Sequence, residues 1–98
     1  MKSALTFRPE ASADVVEAFS WYQEQRRGLG DEFRADLDAT LKLLQQMPET
    51  GPVVHRGLRR ALLRHFPYAV YFGLSKDLIE VRAVLHQHRS PTAWQSRG

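Results

Sequence analysis

The spacing of apolar residues changes at Gly51-Pro52, and this change limits the folds open to the chain. Before it, apolar side chains recur every three or four residues, as on one face of a helix. After it, they alternate with polar or small residues, as on a half-buried strand. A chain of 98 residues has room for one core. We therefore expect a single domain over residues 1–98, of the α+β class, with helices preceding a sheet.

The first half predicts one strand and two helices. Ala4–Phe7 is an apolar run of strand length. Pro9 suits the first turn of a helix, and Gly28 can take the left-handed conformation that ends it. A second helix begins near Asp31 and ends at Met47-Pro48. The link between the helices is short, so they should form an antiparallel hairpin. The residues expected to point away from the apolar face of the second helix are Arg34, Asp36, Asp38 and Lys42.

The second half predicts three or four strands. Val53–Leu58 and Arg60–Phe66 are short segments of β-compatible composition. Alternating runs at Tyr68–Leu74 and Leu78–His86 are joined by a hairpin turn. The expected order is β-α-α-β-β-β, with the helical hairpin packed on a small antiparallel sheet and a polar tail at Pro91–Gly98.

Charge is distributed unevenly along the chain. Residues 1–50 carry six basic and nine acidic side chains, whereas residues 51–98 carry eight basic and two acidic ones and all four histidines. The first half of the chain is thus acidic and the second half basic. A basic half of this kind indicates an acidic partner, either nucleic acid or an acidic protein segment. The alternative is that the arginines only solvate the outer face of the sheet.

Several classes of protein are excluded by what the sequence lacks. There is no cysteine, which rules out disulfides and thiolate zinc sites and fits a reducing cytoplasm. The N-terminus does not read as a signal peptide, and no apolar stretch approaches the roughly 18 residues of a membrane span. No glycine-rich phosphate loop or hydrolase motif occurs, so no cofactor is expected. His86-Gln87-His88 places two imidazoles on one strand face without a third ligand, so no metal is expected either.

Two groups of charged residues have the spacing of side chains on one strand face. Each group would lie on one face of its own strand. If both groups lie on the same face of the sheet, the arginines can bind phosphates or carboxylates and a histidine can move a proton near neutral pH. The alternative is a solvated sheet face above an aromatic core. The first group contains Arg60 and Arg64, with Arg59 beside them, and the second contains Arg82, His86 and His88.

Residues of both halves form an ordered set that covers nearly the whole chain. In the helical half they are Ala11–Asp14, Ala18, Trp21-Tyr22, Gly28-Leu29-Gly30, Phe33, Leu37, Leu41, Leu44 and Pro48. In the β half they are Arg59-Arg60, Leu62-Leu63-Arg64, Phe66-Pro67-Tyr68, Val70-Tyr71-Phe72, Val81, Ala83–His86, Arg89, Pro91 and Trp94. This set resembles the RelE/ParE toxin family, in its ParE-like branch.

The resemblance implies the toxin of a type II toxin–antitoxin system, which arrests bacterial growth in the cytoplasm and contributes to plasmid stabilisation. It also implies a cognate antitoxin that wraps around the toxin, so that the two form a hetero-oligomer. We expect an amphipathic, partly acidic antitoxin segment. Its apolar face would lie in a groove beside the helical hairpin and its carboxylates on the arginines.

The family divides by target. ParE-like members bind DNA gyrase and are not enzymes, whereas RelE-like members cut mRNA in the ribosome with arginines and lysines of the sheet and often a late tyrosine. This chain has no lysine between Lys42 and Lys76 and no tyrosine after Tyr71. We therefore favour gyrase inhibition without catalysis, with ribosome-dependent mRNA cleavage as the alternative. A second alternative is a basic nucleic-acid-binding module, in which Tyr68, Tyr71 and Phe72 would be exposed for base stacking.

The residues that carry these hypotheses are concentrated in the second half. If the chain is a nuclease, the candidate catalytic residues are Arg60, Arg64, Arg82, His86 and His88. The candidates for binding the target or the antitoxin are Arg59, Arg60, Arg64, Arg82, His86, Arg89 and Trp94.

Overall fold

The computed structural model describes residues 2–98, which form one five-stranded sheet and three α-helices. The expected α+β class is confirmed, with four strands after the helical hairpin. None of the helices in this range combines the length and apolarity needed to cross a membrane. The elements are β1 (Ala4–Phe7), α1 (Pro9–Gln25), α2 (Leu29–Gln46), β2 (Val53–His55), β3 (Leu58–Leu62), β4 (Tyr68–Ser75), β5 (Leu78–His86) and α3 (Pro91–Gln95), with one 3-10 turn at Pro48–Thr50.

The strands are arranged in the order β1-β5-β4-β3-β2. Neighbours from β2 to β5 are antiparallel, but β1 runs parallel to β5, with Ala4 opposite Leu78 and Phe7 opposite Val81. The sheet is therefore mixed at this edge and not wholly antiparallel as expected. Parallel pairing requires a long connection, and here the chain from residue 8 to residue 77 separates the two strands.

Strand β5 contains one extra residue, Arg82. Its neighbours Val81 and Ala83 pair with consecutive residues of β4, Phe72 and Tyr71, so Arg82 has no partner there. A bulge of this kind shifts the alternation of side chains by one. Val81 consequently packs against the helices, whereas Ala83, two positions further on, lies in the cluster on the opposite face of the sheet.

The helical hairpin covers one face of the sheet, which we call the helix face. Gly28, at a φ of 89°, lets the chain reverse between the two helices. A Cβ on Gly30 would lie 2.7 Å from the carbonyl oxygen of Phe19, so only glycine allows the helices to approach this closely. The apolar core between hairpin and sheet contains Ala11, Val15, Ala18, Phe33, Leu37, Leu41 and Leu44 of the helices and Val70, Phe72, Ile79, Val81 and Val84 of the sheet.

The opposite face, which we call the tail face, carries α3. The rings of Trp94 and Tyr71 stack there with centroids 4.9 Å apart, and both side chains are buried. Leu58, Ala83 and Leu85 complete this second, smaller core. The segment expected as a polar tail therefore forms a short helix, because its single tryptophan has an apolar surface to cover.

Strands β2 and β3 are shorter than the two predicted segments because a tight turn lies at Arg56-Gly57. Both residues have positive φ, 41° and 80°, as in the type I′ turns that connect hairpin strands. The predicted segment Val53–Leu58 thus includes β2, this turn and the first residue of β3. The second segment stops at Leu62, where the chain leaves the sheet.

Candidate functional site

Arg60 and Arg82 lie on the tail face. The register pairs Arg60 with Tyr71, whose side chain belongs to the tail-face core. The guanidinium of Arg82 lies over Gly73, since a Cβ built on that glycine would be 2.5 Å from Nη2. Their strands are two spacings apart, or about 10 Å. The structure therefore brings these two predicted arginines onto one face.

Glu80 holds Arg82 in place. Its Oε1 lies 3.1 Å from Nε of Arg82 and 3.2 Å from Nη2 of Arg8. Partial burial acts to raise the pKa of Glu80, but the hydrogen bonds and charges of Arg82 and Arg8 outweigh it and lower the pKa below the ordinary value of 4.5. Glu80 is therefore ionised at neutral pH and offsets part of the positive charge of the tail face.

Asp14 of α1 joins that helix to the C-terminus of the chain. Its Oδ2 accepts hydrogen bonds from Nη1 of Arg97 at 2.7 Å and from the backbone N–H of Val84 at 3.0 Å. Nη1 of Arg97 also donates to the carbonyl of Arg82 at 3.1 Å. The hydrogen bond that Arg97 donates to Asp14 raises the pKa of Arg97, so the guanidinium stays protonated. Sequence reasoning missed this pair because its members are 83 residues apart, with no local signal.

Arg59, Arg60 and Arg64 do not lie together on one strand face as expected. Nη1 of Arg59 donates to the carbonyls of Glu49 and Gly51, at 3.2 and 2.7 Å, which ties it to the segment before β2. Arg64 lies beyond the end of β3, so strand parity does not apply to it. The prediction that Arg60 and Arg64 share a strand face is wrong because β3 is shorter than the predicted segment.

His86 lies on the helix face and is separated from Arg82 by the sheet. Its ring centroid is 5.5 Å from that of Tyr68, which packs against the helix-face core. The prediction that Arg82, His86 and His88 share a face is wrong because the bulge at Arg82 inverts the alternation after it. Nδ1 of His86 accepts a hydrogen bond from the backbone N–H of His88 at 3.1 Å.

The remaining candidates divide between surface and core. Arg89 is exposed at the rim of a pocket of about 60 Å³ that Glu17 and His86 also line. Trp94 is only 8% exposed and supports the tail-face core, so its ring is not available as a surface contact. Among residues 2–98 there is no cluster of three or more side chains suited to hold a metal ion.

The hypothesis of a base-stacking module required three exposed aromatic rings, and the structure does not provide them. Tyr71 and Phe72 have no exposed surface, and Tyr68 is half-buried among other rings. Their alternation along β4 places them in the two cores instead. This alternative is therefore set aside.

A groove of about 550 Å³ lies between α2 and β3. Leu43 and Leu62 both line it and are more than half exposed, so the groove presents apolar surface to solvent. Arg60 and Arg64 are also among its lining residues. The sequence did not single out Leu43, because it lies off the repeating apolar face of α2.

His55 is a further polar residue that sequence reasoning did not select. The register places it opposite Leu58, a residue of the tail-face core, and its ring centroid is 6.4 Å from that of Trp94. It is thus a histidine on the same side of the sheet as Arg60.

Comparison with known proteins connects this chain to one family. The family model of ParE toxins of type II toxin–antitoxin systems, parDE, matches residues 5–91. Toxin ParE2 of Mycobacterium tuberculosis, in the strains CDC 1551/Oshkosh and H37Rv, is 30% identical over 81 residues, which cover 82% of this chain and 77% of the relative.

Two solved structures share the fold. The chromosomal ParDE system of P. aeruginosa matches with a TM-score of 0.76 at 20% identity, over 87% of this chain and 96% of that one. The RelBE2 toxin–antitoxin complex of M. tuberculosis matches with a TM-score of 0.61 at 14% identity, over 88% and 99%. The architecture is thus that of RelE/ParE toxins. Because the family model spans most of the chain, this protein belongs to the ParE toxin family and is the toxin of a type II toxin–antitoxin system.

Proposed function

We propose that this toxin arrests growth in the bacterial cytoplasm by binding DNA gyrase, without catalysing a reaction. The observation that carries the proposal is the placement of His86 and the arginines Arg60 and Arg82 on opposite faces of the sheet. RNA cleavage requires a proton carrier within hydrogen-bond reach of the atoms that react beside the phosphate. The position of His86, one of the two candidate histidines, therefore argues against a catalytic role for it beside these arginines.

Ribosome-dependent mRNA cleavage is the second candidate, and His55 is the observation that favours it. This histidine lies on the tail-face side of the sheet, where Arg60 supplies a cation. A proton carrier and an arginine on one face are the minimum for cleavage by 2′-OH attack. The two functions therefore make opposite predictions for substitutions at His55.

Both targets can be tested on one preparation of the toxin. We expect the protein to inhibit DNA supercoiling by gyrase and to leave ribosome-bound mRNA intact, and we expect His55→Gln to inhibit gyrase as well as the unchanged chain does. Arg60→Ala should weaken gyrase inhibition, because a charge-assisted contact is worth about 1.5–3 kcal/mol. Cleaved mRNA with normal supercoiling would reverse the assignment. A loss of cleavage by roughly 10²–10⁴-fold in His55→Gln would then identify the catalytic histidine.

We further propose that the cognate antitoxin binds the groove between α2 and β3. Leu43 and Leu62 offer an apolar surface, and Arg60 and Arg64 offer charges of the sign that an acidic segment requires. An amphipathic helix or strand laid in such a groove buries its apolar side and keeps its carboxylates at the rim. An antitoxin bound in the groove also lies beside Arg60. The antitoxin and gyrase would therefore compete for the same arginine, and the bound antitoxin would neutralise the toxin.

A further inference from the structure

A separate pocket of about 370 Å³ lies on the helix face, between α1 and the ends of β4 and β5. It shares no lining residue with the groove between α2 and β3, and it lies on the other side of the sheet from Arg60 and Arg82. Its lining consists of four rings, one carboxylate and one small residue: Trp21, Tyr22, Tyr68, His86, Glu17 and Ala18.

The four rings form a continuous row. Trp21 meets Tyr22 with centroids 5.1 Å apart, Tyr22 meets Tyr68 at 6.0 Å, and Tyr68 meets His86 at 5.5 Å, all at steep interplanar angles. Trp21 is 55% exposed, although it is the largest side chain of α1. An exposed tryptophan at one end of a row of rings presents π-faces to solvent, and such faces attract cations.

The charge of α1 has the sign that a cation requires. The helix contains acidic residues and neither lysine nor arginine. Glu10, Glu17 and Glu24 recur every seven residues and therefore form one exposed stripe along it. Asp14 is neutralised by Arg97, but within residues 2–98 Glu17 has no cationic side chain at ion-pair distance.

The positive group nearest to the pocket does not form an ion pair with Glu17. Arg89 lines the adjoining smaller pocket, which Glu17 also lines, but the two side chains are not at ion-pair distance. Nδ1 of His86 accepts a hydrogen bond from the backbone N–H of His88 at 3.1 Å, so this nitrogen does not donate to a group in the pocket. Glu17 is therefore the charged group of the pocket itself.

We propose that this pocket binds an arginine side chain from a basic segment of a partner protein. The guanidinium stacks on the ring of Trp21, and Glu17 accepts its hydrogen bonds. The planar guanidinium is the cation that combines stacking with paired donors. A nucleic acid is repelled by the acidic stripe. The acidic antitoxin segment proposed above is repelled as well, so this surface takes a partner of the opposite charge and does not depend on the gyrase assignment.

The test uses N-acetyl-arginine amide as the probe and N-acetyl-citrulline amide as its neutral isostere. The indole N–H signal of Trp21, assigned with Trp21→Phe, is followed by NMR during titration of the full chain. We expect the arginine derivative to shift this signal and to bind about fivefold more tightly than the citrulline derivative, since a cation–π contact of about 1 kcal/mol at an exposed ring corresponds to about that factor. The buried indole of Trp94 serves as the internal reference and should not shift.

Matched substitutions on α1 distinguish the contribution of the pocket to arginine binding from that of the electrostatic field of the whole helix. Glu17→Gln should weaken arginine binding at least about fivefold, as expected for the loss of a charge-assisted hydrogen bond. Glu24→Gln removes the same charge from the stripe outside the pocket and should change binding by less than about twofold. Both side chains are exposed, so the variants should fold, which the dispersion of the amide signals reports.

Three outcomes would overturn the proposal. The first is equal binding of the arginine and citrulline derivatives, or no shift of the Trp21 signal with either. The second is equal weakening by Glu17→Gln and Glu24→Gln, which would assign the effect to the field of the helix. The third is a larger shift of the Trp21 signal with inorganic phosphate than with the arginine derivative, which would make the pocket an anion site.

Discussion

At the scale of single residues, Asp36 is the side chain whose environment differs most from its sequence context. It lies on α2 among charged residues expected in solvent, yet it is only 6% exposed. Its carboxylate accepts hydrogen bonds from the backbone N–H groups of Arg64, His65 and Phe66, at 3.3, 2.8 and 2.9 Å. These bonds hold the bend between β3 and β4 against α2. Asp36 therefore fixes one wall of the groove proposed for the antitoxin.

Asp36→Ala should destabilise the toxin strongly. A hydrogen bond to a charged group contributes about 1.5–3 kcal/mol, and three backbone donors would lose their acceptor, so we expect the free energy of unfolding to fall by roughly 3 kcal/mol or more. The thermal midpoint should drop by more than about 10 °C. Asp38→Ala is the control, because that carboxylate is exposed and 3.9 Å from Arg34. It should change stability by less than about 0.5 kcal/mol, and equal effects of the two substitutions would contradict the role of Asp36.

At the scale of elements, the bulge in β5 and the helix α3 decide what the tail face presents. The bulge turns Arg82 to the tail face and His86 to the helix face. Helix α3 has five residues, too few to be stable alone, and depends on its contacts with the sheet. Those contacts are the stacking of Trp94 on Tyr71 and the ion pair between Arg97 and Asp14.

Arg97→Ala should loosen α3 from the sheet. The arginine contacts both oxygens of Asp14 and the carbonyl of Arg82, and its loss leaves a largely buried carboxylate without its cation. We expect a loss of about 1.5–3 kcal/mol in the free energy of unfolding. In a Trp21→Phe background, acrylamide should quench the fluorescence of Trp94 more strongly. Arg89→Ala, at an exposed site of the same segment, should leave quenching unchanged, and the same response in both variants would assign no special role to the ion pair.

At the scale of the whole molecule, charge is separated into two regions. Helix α1 carries an acidic stripe on one side, and Arg60 and Arg82 lie on the other side of the sheet, on the tail face. Such separation steers partners of opposite sign to different surfaces. The groove with Leu43 and Leu62 lies next to the basic region, so the acidic antitoxin segment proposed above would meet an apolar surface and complementary charge together.

The antitoxin should stabilise the toxin through this groove. A partner that binds only the folded state, at about 1,000 times its Kd, adds roughly 4 kcal/mol to the free energy of unfolding. The thermal midpoint should then rise by more than about 10 °C. Leu43→Glu should abolish most of this rise but leave the lone chain within about 0.5 kcal/mol of its original stability, because the side chain is exposed. Leu78→Glu, also exposed and outside the groove, should keep the full rise. A complete rise with Leu43→Glu would place the antitoxin elsewhere.

The family, the helical hairpin and the strands β1, β4 and β5 could be predicted from the amino-acid sequence, whereas α3 and the bounds of β2 and β3 could not. The change of apolar period predicted the α+β class and the helical hairpin, because local side-chain spacing specifies which face of an element is buried, and a short apolar run predicted β1. The tertiary structure decided which side chains meet. A one-residue bulge at Arg82 inverted the faces of every later residue of β5, and it left no periodic mark in the sequence. The parallel partner of β1, the burial of Asp36 and the pair of Asp14 with Arg97 depend on residues far apart in the chain, which only folding brings within hydrogen-bond distance.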